Sequence, residues 1–119
     1  LLDQAYAQYY SAEEDKAEAK LDEALKINPN LYQAYILKAQ IQVQEKEIDK
    51  AITTYSQVIT MQPKQPYAYE QRGLLYKEKK QEQLALEDLN QAAQLYAEEG
   101  RTYEQSRVRA VIDYGRGTN

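Results

Sequence analysis

The sequence predicts an all-α fold, an α-solenoid of three antiparallel helix pairs followed by one capping helix. Three observations predict it. Small residues recur on a fixed period: Ala17, Ala51 and Ala85 lie 34 residues apart in succession, and so do Ala5, Ala39 and Gly73. Larger apolar positions keep the same period, as in Leu21, Tyr55 and Leu89, and in Ala24, Val58 and Ala92. The helix breakers keep it too, with Pro29 and Pro63 again 34 apart. A fixed period of this length marks stacked supersecondary units, none of which can bury its apolar face alone.

The elements follow in order. Residues 1–11 are expected to form the first helix, with Leu2, Tyr6, Tyr9 and Tyr10 sharing a face at helical spacing. Residues 12–15 make the turn and open the second helix. Glu13, Glu14 and Asp15 sit there as solvated carboxylates, where a helix N-terminus favours negative charge. The second helix continues over 16–27, with Ala17, Leu21, Ala24, Leu25 and Ile27 as its apolar stripe. Asn28-Pro29-Asn30 ends it, because proline cannot continue the hydrogen-bond ladder and disfavours helix in the residue before it. Asn30 is the expected N-cap of the next helix.

The third and fourth helices are expected over 31–45 and 47–61. Lys46 and Glu47 leave room only for a tight antiparallel return. Residues 62–66 break the chain again, and Pro66 suits a first helical position. The fifth and sixth helices are expected over 67–79 and 82–97, with Gly100 as a C-terminal cap. A seventh helix over 101–114 has no partner. Its stripe of Val108, Val111 and Ile112 would cover the exposed flank of the stack. Gly115 is expected to end it. The chain is therefore one domain: repeat 1 over 1–31, repeat 2 over 32–65, repeat 3 over 66–99, a capping helix over 100–114 and a frayed tail over 115–119. Because it begins at Leu1 rather than Met, it reads as a piece of a longer protein.

Composition narrows the function classes. The 119 residues include no Cys, His, Trp or Phe, and 12 Tyr. No Cys means no disulfide framework and no thiolate nucleophile or ligand. No His removes the commonest general base and metal ligand. Neither a cofactor nor a metal is expected, and no nucleophile, base and orienting group stand at meaningful spacing. The net charge of −4 argues against a nucleic-acid binder, which needs a basic face. Arg101, Arg107, Arg109 and Arg116 give the last segment only a small basic excess. No apolar run is long enough to span a membrane and no signal peptide is visible, so the default expectation is a cytoplasmic protein.

The residues at these slots resemble the tetratricopeptide repeat (TPR) family, whose pattern runs W-x2-L-G-x2-Y, then A-x3-F, then P. The third unit fills it with Tyr69, Arg72, Gly73 and Tyr76, then Ala85 and Leu89, with Ala97 in place of Pro. The second unit has Tyr35, Lys38, Ala39 and Gln42, then Ala51, Tyr55 and Pro63. The first has Leu1, Gln4, Ala5 and Gln8, then Ala17, Leu21 and Pro29. The Leu slot is polar in every unit, and Gln8 and Gln42 stand where the family has Tyr. The missing Pro at Ala97 implies a longer sixth helix. The small residues imply close helix approach, with Ala5, Ala39 and Gly73 facing Ala17, Ala51 and Ala85. Leu21, Tyr55, Val58, Ile59, Leu89 and Leu95 are the expected core between repeats.

The resemblance implies a concave groove lined by the first helix of each pair. Carried over by slot, its residues are Leu2, Tyr6, Tyr9 and Tyr10 in the first unit. In the second they are Gln33, Ile36, Gln40, Val43 and Gln44, and in the third Tyr67, Glu70, Leu74, Lys77 and Glu78. The last helix would add Gln105, Arg109 and Asp113. The implied function is a non-catalytic scaffold that binds a peptide or helix of another protein. The alternative is a structural module that uses the tyrosine cluster to pair with a second copy, as a homodimer, or with a neighbouring domain. One TPR subset grips the terminal carboxylate of chaperone tails with Lys, Asn and Arg. The matching slots here hold Leu2, Tyr6, Leu37, Tyr67 and Gln71, so no such tail is expected as a partner.

Overall fold

The structure is a computed structural model that describes residues 2–5 and 14–117. Among these, every regular element is a helix. After helical residues 2–5 come α1 (Glu14–Ile27), α2 (Tyr32–Gln44), α3 (Ile48–Met61), α4 (Pro66–Glu78), α5 (Glu82–Glu98) and α6 (Thr102–Gly117). The fold is all-α, of the α-solenoid class. The expected end of the first helix, the turn at 12–13 and the Tyr6, Tyr9 and Tyr10 cluster lie outside the described residues. No helix among the described residues is long and apolar enough to cross a membrane. The chain divides into two compact units, Leu1–Met61 and Gln62–Asn119.

In the first unit α1 packs on α2, and α2 on α3. Ala5, Ala17, Leu21, Ala34, Leu37 and Ile41 form one buried cluster, with Leu2, Leu25 and Leu31 at its edge. Tyr55 and Val58 of α3 are buried as expected, and Ile59 is half-buried. Asn28 to Leu31 is a β-turn, closed by the Leu31 N–H donating to the Asn28 carbonyl (3.2 Å). Pro29 takes its second position, which its fixed φ suits. The turn places Leu31, not Asn30, at the N-cap of α2. Asn30 instead donates its N–H to the Asn28 side chain (3.2 Å).

The reversal between α2 and α3 is a Schellman motif. Lys46 N–H donates to the Val43 carbonyl (3.0 Å) and Glu47 N–H to the Gln42 carbonyl (2.8 Å). Lys46 holds the left-handed φ of 64° that this motif requires.

The second unit repeats both devices 34 residues on. Gln65 N–H donates to the Gln62 carbonyl (3.1 Å) around Pro63. Gln65 then caps α4 by accepting from the Tyr67 N–H (3.2 Å), with Pro66 in the first turn. Lys80, at φ 62°, closes α4 onto the Lys77 carbonyl (2.9 Å), and Gln81 bonds back to Tyr76 (2.9 Å). Gly100, at φ 71°, ends α5 in the same way, with Arg101 N–H on the Tyr96 carbonyl (2.9 Å). Without a proline at Ala97, α5 reaches 17 residues against 14 in α3. Helix α6 packs on α5. Leu89, Ala92, Ala93 and Tyr96 of α5 join Val108 and Ile112 of α6 in one cluster. Contrary to expectation, α6 does not stop at Gly115 but continues to Gly117. Glycine weakens a helix by about 1 kcal/mol but keeps its N–H, so the ladder can run through it.

Gly73 sits inside α4, where that same cost applies. A Cβ there would lie 3.0 Å from Leu89 Cγ and 3.1 Å from Asp88 Cβ. The close approach is therefore to Asp88 and Leu89 of α5, one turn beyond the expected Ala85. The helices approach so closely here that even a Cβ would push its neighbours by a few tenths of an ångström. Gly73→Leu is expected to destabilise the second unit by about 3 kcal/mol or more through overpacking. Chemical denaturation with a midpoint equal to wild type would contradict this packing.

Candidate functional site

Helix α2 turns Ala34, Leu37 and Ile41 into the core of the first unit. A second stripe runs along it at i, i+4 and i+7: Ile36, Gln40 and Val43. Ile36 and Gln40 are half-buried, Val43 is 36% exposed, and Gln33 and Gln44 beside them are exposed. Leu2 is half-buried and packs against the core cluster.

The corresponding face of the second unit is largely covered. Glu70, expected to line a groove, is buried at 4% exposure. Leu74, expected beside it, packs against the α5 and α6 cluster. For Glu70 the cause is Arg107 of α6, which reaches across to it, while Leu74 is half-buried against the cluster. Tyr67 and Lys77 remain half-buried and Glu78 exposed. On α6, Gln105 is half-buried, Asp113 is exposed, and exposed Arg109 donates to Asn90 Oδ1 (3.0 Å).

Glu70 is held from two helices. The Tyr96 hydroxyl of α5 donates to its Oε1 (2.7 Å). Arg107 of α6 donates Nη2 to Oε1 (2.7 Å) and Nε to Oε2 (2.9 Å). Arg101 and Arg107 place their guanidinium carbons 4.8 and 5.9 Å from the Tyr96 ring centroid. Hydrogen bonds to Glu70 hold the Arg107 guanidinium above its usual range, against the opposing pull of burial. Burial pushes the Tyr96 phenol well above its usual range, and its hydrogen bond to the Glu70 carboxylate adds to this.

A second polar cluster joins α4 to α5. Arg72 donates Nε to Asp88 Oδ2 (2.7 Å) and Nη2 to Oδ1 (2.8 Å). Its guanidinium carbon lies 5.9 Å from the Tyr69 ring centroid and 5.7 Å from that of Tyr76. The Asp88 hydrogen bond raises the Arg72 pKa, again against burial. In the first unit the position 34 residues before Asp88 is Thr54, also buried. Its hydroxyl lies 2.7 Å from Gln42 Oε1 and 3.0 Å from the Lys50 carbonyl. Gln42 and Arg72 are two of the slots where the sequence departs from the TPR pattern. Each departure meets a polar partner on the second helix of its own pair.

Sequence reasoning missed these partners. The available signal was Thr54 and Asp88, polar residues one period apart on the buried side of second helices. For Glu70 it was Arg107, a cation beside the apolar stripe of α6.

Removing one member of the Arg72–Asp88 pair strands a charge with little access to water. Asp88→Ala is expected to cost about 3 kcal/mol, whereas Arg72→Leu with Asp88→Leu should return to within about 1 kcal/mol of wild type. Additive losses in denaturant titrations would contradict the pairing. For Tyr96 the folded-state pKa lies above the unfolded value of 10.0. Its stabilisation is therefore complete below that pH and is lost as pH rises through the folded value. Between pH 9 and 11 the melting temperature should fall more steeply in wild type than in Tyr96→Phe. Parallel profiles would contradict this.

Comparison with known proteins gives two family matches, described as TPR repeat over residues 39–80 and tetratricopeptide repeat over residues 66–99. Together they span 39–99, just over half of the 119 residues. No curated protein matches the sequence. Among solved structures, the type III secretion translocator chaperone SycD of Yersinia enterocolitica superposes with a TM-score of 0.85 at 19% identity, covering 95% of this chain and 85% of that one. The same chaperone in complex with a peptide of the translocator YopD gives 0.74 at 16% identity, covering 93% and 91%. The first TPR domain of Spaghetti (RPAP3), bound to the HSP90 peptide SRMEEVD, gives 0.75 at 13% identity, covering 94% and 90%. At these identities the likeness is one of fold. The repeat matches, the 34-residue period in sequence and backbone, and this likeness agree: the chain belongs to the tetratricopeptide repeat family.

Proposed function

We propose that the chain is a non-catalytic protein-interaction module that takes a peptide or helix of a partner protein along α2. The observation that carries this reading is the second stripe of α2. Ile36 and Val43 are apolar side chains set between glutamines, on a face that the core of the first unit does not use. Such a stripe suits partner binding, with apolar anchors for affinity and Gln33, Gln40 and Gln44 for register. In sequence, Tyr6, Tyr9 and Tyr10 would extend this surface with the residue type most enriched at binding hot spots. The peptide complexes of SycD and of Spaghetti support the reading by analogy of fold.

An acidic chaperone tail is the wrong partner for this face. The slots that would clamp a carboxylate hold Leu37, which is fully buried, with Tyr67 and Gln71. The absence of His and Cys from the sequence supports a non-catalytic role.

The test is a screen of amphipathic peptides against wild type and an Ile36→Glu, Val43→Glu double variant of unchanged helicity. Peptides that bind wild type should weaken by roughly thirtyfold or more in the variant, the effect of losing a hot spot worth about 2 kcal/mol. Equal affinity for both would refute the α2 site. Binding lost only in a Tyr6→Glu, Tyr10→Glu variant would move the site to the N-terminal cluster.

A further inference from the structure

Helix α6 packs along α5 through a short apolar stripe flanked by polar contacts. Of residues 102–114 Val108 and Ile112 are buried, and Glu104, Gln105 and Val111 are half-buried. Tyr103 and Tyr114 are 75% and 74% exposed. The link to α5 passes through Gly100, where an added Cβ would meet nothing within 4 Å. Its register is set by Val108 and Ile112 in the α5 cluster, by Arg109 on Asn90 and by the ion pair of Arg107 to Glu70.

That pair is asymmetric. The Glu70 side chain is 6% exposed and the Arg107 side chain 43%. The acid belongs to the face, set between α4 and α5 with the Tyr96 hydroxyl already on it. The arginine reaches it from the solvent side. A cap needed only for stability is served as well or better by apolar side chains, because a buried ion pair gains little over them. An ion pair instead confers register and choice of partner. It also lets the face open, since Glu70 and the Tyr96 hydroxyl are groups that water can solvate once α6 leaves.

We propose that the Glu70 face of α4 and α5 is a second binding surface, selective for an arginine-bearing amphipathic helix of a partner protein, and that α6 occupies it as a displaceable internal ligand. The chemistry of the partner is read from α6 itself: an arginine followed by apolar residues at +1, +4 and +5, as in Arg107, Val108, Val111 and Ile112. The arginine enters Glu70, and the apolar side chains cover Leu89, Ala92 and Ala93. This surface uses none of the residues assigned to α2, so either reading can fail alone.

The experiment uses the full chain and a fluorescent peptide with the sequence of Thr102–Gly117 as probe. In Arg107→Glu the internal helix meets Glu70 with like charge and should vacate the face. That chain should bind the probe roughly tenfold or more tightly than wild type, whose own helix competes. A probe carrying Arg107→Glu should not bind, and adding Glu70→Gln to the chain should weaken the normal probe by roughly tenfold. An Arg107→Glu chain that is folded, as judged by circular dichroism, yet binds the probe no better than wild type overturns the proposal. If Arg107→Glu does not fold, Arg107→Gln takes its place. Failure of both to fold shows that α6 is a permanent part of the unit and also overturns it.

Discussion

One carboxylate organises the second unit. Glu70 is buried on α4, and each of its oxygens must find a donor. Tyr96 brings one from α5 and Arg107 brings two from α6. Three helices are thereby set in register at a single point. The apolar contacts around it follow from that register. Once Arg107 is on Glu70, Val108 and Ile112 fall against Leu89, Ala92, Ala93 and Tyr96. The same point decides which surface the second unit can offer, because Glu70 is taken up by Tyr96 and Arg107.

The helix pairs themselves rest on close approach. At Gly73 a Cβ would already press on Leu89 and Asp88. The buried Ala39, Ala51 and Ala85 show how small residues fill the equivalent slots. Axes that close bring the flanking positions together, so a polar residue there needs a polar partner. Arg72 finds Asp88 and Gln42 finds Thr54. These two departures from the family pattern are thus compensated locally. The left-handed turns at Lys46 and Lys80 extend the period from side chains to backbone. They close each helical hairpin although neither residue is glycine.

Much of this was legible in the sequence, because the signals were periodic. The 34-residue recurrence of Ala, Leu and Pro located the second and third helix pairs, and Gly100 and Pro66 fell in the caps their backbone chemistry suits. What was not legible depended on pairings between helices. Glu70 looks like any solvated carboxylate on a first helix until α6 is laid over it, and the period says nothing about a helix outside the repeats. Asn30 looked like a cap because Asn caps well, but the turn set by Pro29 moved the cap by one residue. Gly115 looked like a stop because a glycine often ends a helix, yet nothing in the ladder requires it to. On α2 the candidate residues Ile36, Gln40 and Val43 came only from the slots of the family that the sequence resembles; their own spacing singles out no partner.

The account makes α6 a separable element and α4 with α5 a single body. Residue-resolved hydrogen exchange of the wild-type chain under native conditions tests this most directly. The account predicts that the buried amides around Val108 and Ile112 exchange through a local opening. It predicts that those of α4 and α5 around Leu75 and Leu89 exchange only with global unfolding of the unit. Identical opening free energies across all three helices would contradict it, and would make Glu70 a purely structural contact.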